Sequence, residues 1–153
     1  MNTHFAEVLA RETARLDRVA DKAALEQWRR DVIRELVTPN SPYALAMCAT
    51  SDLCRQADFL DRWRELIAAT LHRLLRCDAG SDAPRAVAAA PIADVDLDAQ
   101  KSAVLIVAAL KGGSMLSRIT GDRRSLDSAL DLAFMPLTDP LAESPEGRES
   151  PSR

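Results

Sequence analysis

Between Phe59 and Leu75, apolar residues (Phe59, Leu60, Trp63, Leu66, Ile67, Leu71, Leu74, Leu75) recur at steps of three and four, with Asp61, Arg62, Arg64, Glu65 and Arg73 between them. A period of 3.6 held over four turns cannot belong to a strand, whose side chains alternate every two residues. The segment is an amphipathic helix with one apolar stripe to bury. Only other secondary-structure elements can cover a stripe of that length, and the flanking sequence supplies helices.

Thr3 can cap a helix whose apolar face is Phe5, Val8, Leu9, Leu16 and Val19. Asp21 restarts a second, with Leu25, Trp28, Val32, Ile33 and Leu36 at helical spacing. The run Pro39–Asn40–Ser41–Pro42 is a break, and Tyr43 to Ala49 reads as one or two buried turns. Gly80 reads as a stop, and 82–95, with two prolines, as a loop holding about one turn. Asp96 or Asp98 opens a long helix to about Ile119, whose Ala103–Leu110 segment is apolar on every side and is expected to be buried all round. After Gly121–Asp122 a last helix carries Leu126, Ala129, Leu130, Ala133, Phe134 and Leu137 on one face. The expectation is an all-α bundle of five to six helices over residues 1–137, with 138–153, rich in Pro, Ser and Glu, a disordered tail.

Composition agrees. Of the 153 residues, 47% are hydrophobic, largely Ala and Leu, while aromatics are 4% and glycines number five, which favours helix over strand. The length is that of one domain, enough to bury a core without disulfides or metal. A net charge of −3, well mixed along the chain, gives no general attraction to nucleic acid or an anionic membrane. Cys48, Cys54 and Cys77 form no CxxC and suit reduced thiols, hence a cytoplasmic setting. Polar Asn2–Thr3–His4 after Met1 is no signal peptide. The run Ala103–Leu110 falls well short of the roughly 20 apolar residues of a membrane span, so no membrane association is expected.

Enzyme chemistry finds no support in the residues, and no cofactor or metal is expected. His4 and His72 lie in no ligand or nucleophile motif; Asp58/Asp61 and Asp94/Asp96/Asp98 read as helix-start acids that complement the dipole. Gly112–Gly113 within a helical pattern is unusual, because each glycine there costs about 1 kcal/mol relative to alanine. The pair reads either as a bend or a close helix crossing within the subunit, or as close approach of a partner subunit's helix or of a ligand, with a partner's helix the favoured reading. Trp28, Met47, Cys48, Trp63, Ile67 and His72 lie on or beside inward faces. Such residues are most often plain core; they are also the candidate lining of a cavity for a small apolar or aromatic ligand, since Met flexes and Trp supplies a wall.

The stretch from Asp96 to Leu137 resembles the end of the C-terminal domain of TetR-family transcriptional regulators. The matching residues are Asp96 and Asp98, the run Ala103–Leu110, Gly112–Gly113, Gly121–Asp122 and Leu126–Asp127–Ser128–Ala129–Leu130; upstream, the helix order, the Pro42–Ala49 turn and the Trp63 helix fit the same domain. The resemblance implies a homodimer whose last two helices form a four-helix bundle with the partner's, and a ligand pocket among the earlier helices. The family's N-terminal helix-turn-helix has no counterpart at Thr3–Ala20. The resemblance therefore leads us to expect a fragment, a true start upstream, or a headless relative, with DNA reached only through a missing N-terminal head.

A homodimer is expected on physical grounds as well, because the Ala103–Leu110 segment and the last helix offer more apolar surface than two helices hide in each other. The residues expected at that interface are Val104, Val107, Gly112, Gly113, Met115, Leu116, Leu126, Leu130 and Phe134. The competing reading is a helical dimer with a filled core that acts as a protein-interaction adaptor.

Overall fold

The computed structural model describes residues 3–49, 52–81 and 92–138. The expected tail and most of the expected 82–95 loop lie outside these residues. The described chain is all-helical: α1 (Thr3–Leu16), α2 (Lys22–Val37), α3 (Pro42–Cys48), α4 (Leu53–Ser81), α5 (Ile92–Thr120) and α6 (Arg124–Thr138).

Local chemistry sets most boundaries. Asp21 caps α2 by accepting from the Ala24 N–H at 2.7 Å. At its other end the Thr38 hydroxyl donates to the Arg34 carbonyl at 2.7 Å. Asn40, with φ of 61°, turns the chain, Ser41 accepts from the Ala44 N–H at 3.0 Å, and Pro42 occupies the first turn of α3, where a missing N–H costs nothing. Gly121, with φ of 69°, ends α5 in the left-handed conformation that glycine takes without penalty.

Two boundaries differ from the sequence reading. The α4 helix runs through Gly80 to Ser81, and α5 begins at Ile92, ahead of Asp94. A single glycine costs a long helix only about 1 kcal/mol, which neighbouring turns can absorb. Asp58 and Asp61 accordingly fall inside α4, where Asp61 accepts from Arg64 at 2.8 Å; they do not cap its start.

The core joins all six helices. Val8, Leu16, Val32, Tyr43, Trp63, Ile67, Leu71, Ile106, Leu110, Leu126 and Leu130 are buried almost completely. The most extensive pairings are α5 with α6 and α4 with α5, while α1 packs on α3 and α4. Phe5 stacks on Phe59 with ring centroids 4.8 Å apart, fastening α1 to α4. Arg29 lies over the Phe134 ring at 5.3 Å and pairs with Asp131, fastening α2 to α6.

Candidate functional site

The α5–α6 hairpin crosses closely at one point. A Cβ on Gly113 would sit 2.9 Å from Leu126 Cα and 3.3 Å from Ala129 Cβ, so only glycine allows this approach. Leu126 fills the inner angle of the same crossing, while Leu130 and Phe134, farther along α6, are also buried within the subunit, Phe134 against Trp28 of α2. These four residues, expected against a partner, therefore pack inside one chain: the apolar face of α6 is spent within its own subunit, on α5 and α2. Val107 is half-buried at the α4–α5 seam.

The remaining expected interface residues lie outside. Val104, Met115 and Leu116 are exposed, and a Cβ on Gly112 would meet nothing within 4 Å. Leu105 and Ile119 share their face, Ile119 at 71% exposure. Ala103–Leu110 is thus not buried all round: Ala103, Ile106 and Leu110 turn inward while Val104 and Leu105 turn out. Helical spacing places Val104, Leu105, Ala108, Gly112, Met115, Leu116 and Ile119 on one stripe about 24 Å long. The two cations in that segment, Lys111 and Arg118, project roughly a quarter-turn or more to one side. On α6 the neighbouring outward positions are Ser125, Ser128, Leu132, Met135 and Pro136, again without charge, and Leu132 is 68% exposed. The two stripes make a continuous uncharged face, two helices wide. From Asp94 to Thr120, α5 is the one helix among the described residues long and apolar enough to cross a membrane, with 33% of that window buried.

The expected ligand lining is dispersed. Trp28, Met47, Trp63 and Ile67 are core, and His72 Nδ1 lies 2.5 Å from Asp96 Oδ1 across the α4–α5 seam. Cys48 alone borders a groove. What occupies the centre is a residue the sequence reading passed over. The Glu12 carboxylate, fully buried, accepts from Trp28 Nε1 at 2.8 Å and Trp63 Nε1 at 2.9 Å on one oxygen, and from the Tyr43 hydroxyl at 2.6 Å on the other. Arg15 stands 3.8 Å away and itself donates to Tyr43 and Glu35. Burial pushes the Glu12 carboxyl above its ordinary range, although the hydrogen bonds from Tyr43, Trp28 and Trp63 and the Arg15 charge all act the other way. Burial also raises the Tyr43 phenol, with Glu12 reinforcing it. The chain supplies its own carboxylate where a ligand was expected. The available signal was Glu12 itself, a charge three and four residues from Leu9, Val8 and Leu16 on the apolar stripe of α1.

Three of the grooves on the described residues stand out. One, of about 470 Å³, lies between the α2–α3 corner and the α5–α6 hairpin, bordered by Val37, Pro39, Leu45, Cys48, Ser117 and Arg118 among others. A second lies between α1 and α4 around Phe5, Leu9 and Phe59, and a third between α4 and α5 beneath Val104 and Val107. Among the described residues no group of three or more His, Cys, Asp or Glu side chains could hold a metal ion. No family model, curated protein or solved structure matches the chain.

Proposed function

We propose that this chain is a homodimerisation domain in which α5 and α6 pack on the same pair of a second copy as a four-helix bundle, and that it serves as the regulatory half of a TetR-like transcriptional regulator. The observation that carries the dimer is the uncharged two-helix face from Val104 to Ile119 and from Ser125 to Pro136. Monomeric proteins rarely expose continuous apolar patches beyond a few hundred Å², and a standard interface buries about 800 Å² per partner. A second copy fits the face better than a bilayer does. The opposite side of α5 is covered by α4 and α6, whose surface charges Asp61, Arg64, Arg124 and Asp131 would have to enter the lipid beside it.

Light scattering at micromolar concentration tests this: the expected mass is twice that of the chain, and Leu116→Glu is expected to reduce it to one. A monomer in the unaltered protein would overturn the reading. The regulatory role is supported by the resemblance over Asp96–Leu137 and by the order of the helices. An adaptor is the second reading, favoured by the filled centre around Glu12. A broad set of apolar small molecules that leaves the melting temperature unmoved would favour the adaptor, because a ligand that binds the folded state raises it.

A further inference from the structure

The three grooves differ in charge. Those at the α1–α4 and α4–α5 seams are of mixed charge, with Asp58 beside Arg55 and Arg62 in the first and Asp58 and Asp61 beside Arg64 and Lys111 in the second. The groove between the α2–α3 corner and the α5–α6 hairpin is bordered by two arginines, Arg118 and Arg123, and by no carboxylate. Arg123 is neutralised by Asp127, 3.3 Å away. Arg118 has no carboxylate partner among the described residues; its guanidinium meets the Cys48 thiol.

That cation is not needed to cap α3. The carbonyls at the end of α3 already receive Gln56, whose amide donates to Ala46 and Met47 at 3.1 and 3.3 Å, and Lys111, whose ammonium donates to Met47 at 2.5 Å. A thiol is a weak acceptor, and a guanidinium has five N–H donors. Arg118 therefore holds unspent donors and an uncompensated charge at the edge of a groove whose other wall is Val37, Pro39, Ala44 and Leu45. Its volume, about 470 Å³, is within the roughly 300–1,000 Å³ of small-molecule sites.

We propose that this groove binds an anionic amphiphile, a carboxylate bearing a short apolar body, with the carboxylate on Arg118 and the body along Val37, Pro39 and Leu45. The inference goes beyond dimerisation: Arg118 lies roughly a quarter-turn to the side of the uncharged stripe, so the groove and the face can fail independently.

Decanoate is the probe and decanol its neutral counterpart. Cys48 reports occupancy, because it borders the groove while Cys54 and Cys77 are exposed on α4. Decanoate is expected to slow alkylation of Cys48 by iodoacetamide, read by mass spectrometry, and to leave Cys54 and Cys77 unchanged. The Arg118→Met variant, which keeps the apolar stem, is expected to bind decanoate at least about tenfold more weakly, the usual effect of losing a hydrogen bond to a charged group. Ser117→Trp, which fills the groove from α5, is expected to abolish protection with Arg118 intact. Decanol should protect Cys48 weakly and equally in the unaltered and Arg118→Met proteins. Repeating the footprint on Leu116→Glu separates the groove from the dimer: protection should persist in a monomer. Unchanged Cys48 alkylation with decanoate, equal protection by decanol, or full affinity in Arg118→Met would each overturn the proposal, and decanoate adsorbed on the α5–α6 face would appear as a melting shift without Cys48 protection.

Discussion

Glu12 Oε2 accepts the indole N–H of Trp63 at 2.9 Å while also accepting that of Trp28 at 2.8 Å, so a single buried oxygen ties α1 to both α2 and α4. Tyr43 on α3 holds the other oxygen. Four of the six helices meet at one carboxylate. Replacing it by alanine leaves two indole N–H groups and the Tyr43 O–H without an acceptor in the interior, at a cost of about 1–3 kcal/mol for each group. Glu12→Ala is expected to lose at least about 3 kcal/mol in urea unfolding, enough to threaten a domain of ordinary stability. Glu12→Gln keeps one acceptor oxygen but turns an NH₂ toward donors, and is expected to lose about 1–3 kcal/mol. A loss below about 1 kcal/mol for alanine would mean that water or repacking satisfies these groups.

The same residue makes stability depend on pH in an unusual direction. Folding raises the Glu12 carboxyl above its ordinary value of 4.5, so the native state holds this proton more tightly than the unfolded chain does. Below pH 4.5 both states are protonated and the contribution is complete; as pH climbs past 4.5 towards the raised native value, the unfolded chain releases its proton first and the contribution is lost. A difference between variant and parent isolates this residue, because every other carboxylate is common to both. The stability of Glu12→Gln relative to the parent is therefore expected to improve from pH 4.5 towards neutrality, measured by urea melts at each pH. A pH-independent difference would contradict the raised value. Both tryptophans of the chain donate to Glu12, so intrinsic fluorescence should follow the same transition.

The helices were legible because their signals are local. Asp21, Ser41, Pro42 and Gly121 act through caps and backbone angles that need no partner, and the Phe59–Leu75 stripe needs only its period. The sidedness of α5 was not legible, because Ala103–Leu110 is apolar all round and only the positions of α4 and α6 determine that Ile106 turns in and Leu105 turns out. The closure of the core by Glu12 was not legible for a related reason. Trp28 and Trp63 are 35 residues apart in sequence, and nothing in either helix says that their N–H groups share an acceptor on α1. An unpaired aromatic wall and a wall closed by Glu12 have the same linear pattern.

Gly113 is expected to tolerate nothing larger. A methyl group there would lie 2.9 Å from the backbone Cα of Leu126 and 3.0 Å from its Cδ1. Backbone cannot swing aside as the end of a side chain can, so α6 would have to shift along its whole packed face. Gly113→Ala is expected to cost about 1–3 kcal/mol, outweighing the helix-propensity gain of roughly 1 kcal/mol. A more stable variant in urea unfolding would show that the hairpin crossing is looser than its geometry.

Gly112, one residue earlier, is expected to respond in the opposite way, and its sign depends on the dimer. With nothing within 4 Å of its would-be Cβ, Gly112→Ala in a lone subunit gains only helix propensity, roughly 0.5–1 kcal/mol. The position lies in the middle of the uncharged stripe, however, where a second copy of α5 would approach most closely. In a Leu116→Glu background, which should be monomeric, Gly112→Ala is therefore expected to raise stability by that amount. In the unaltered background it is expected to weaken association, read as a higher dissociation constant by sedimentation. The two backgrounds share the same helix, so a difference of sign between them can come only from a neighbour seated over Gly112. If alanine stabilises both and leaves association untouched, no partner helix passes close to this position.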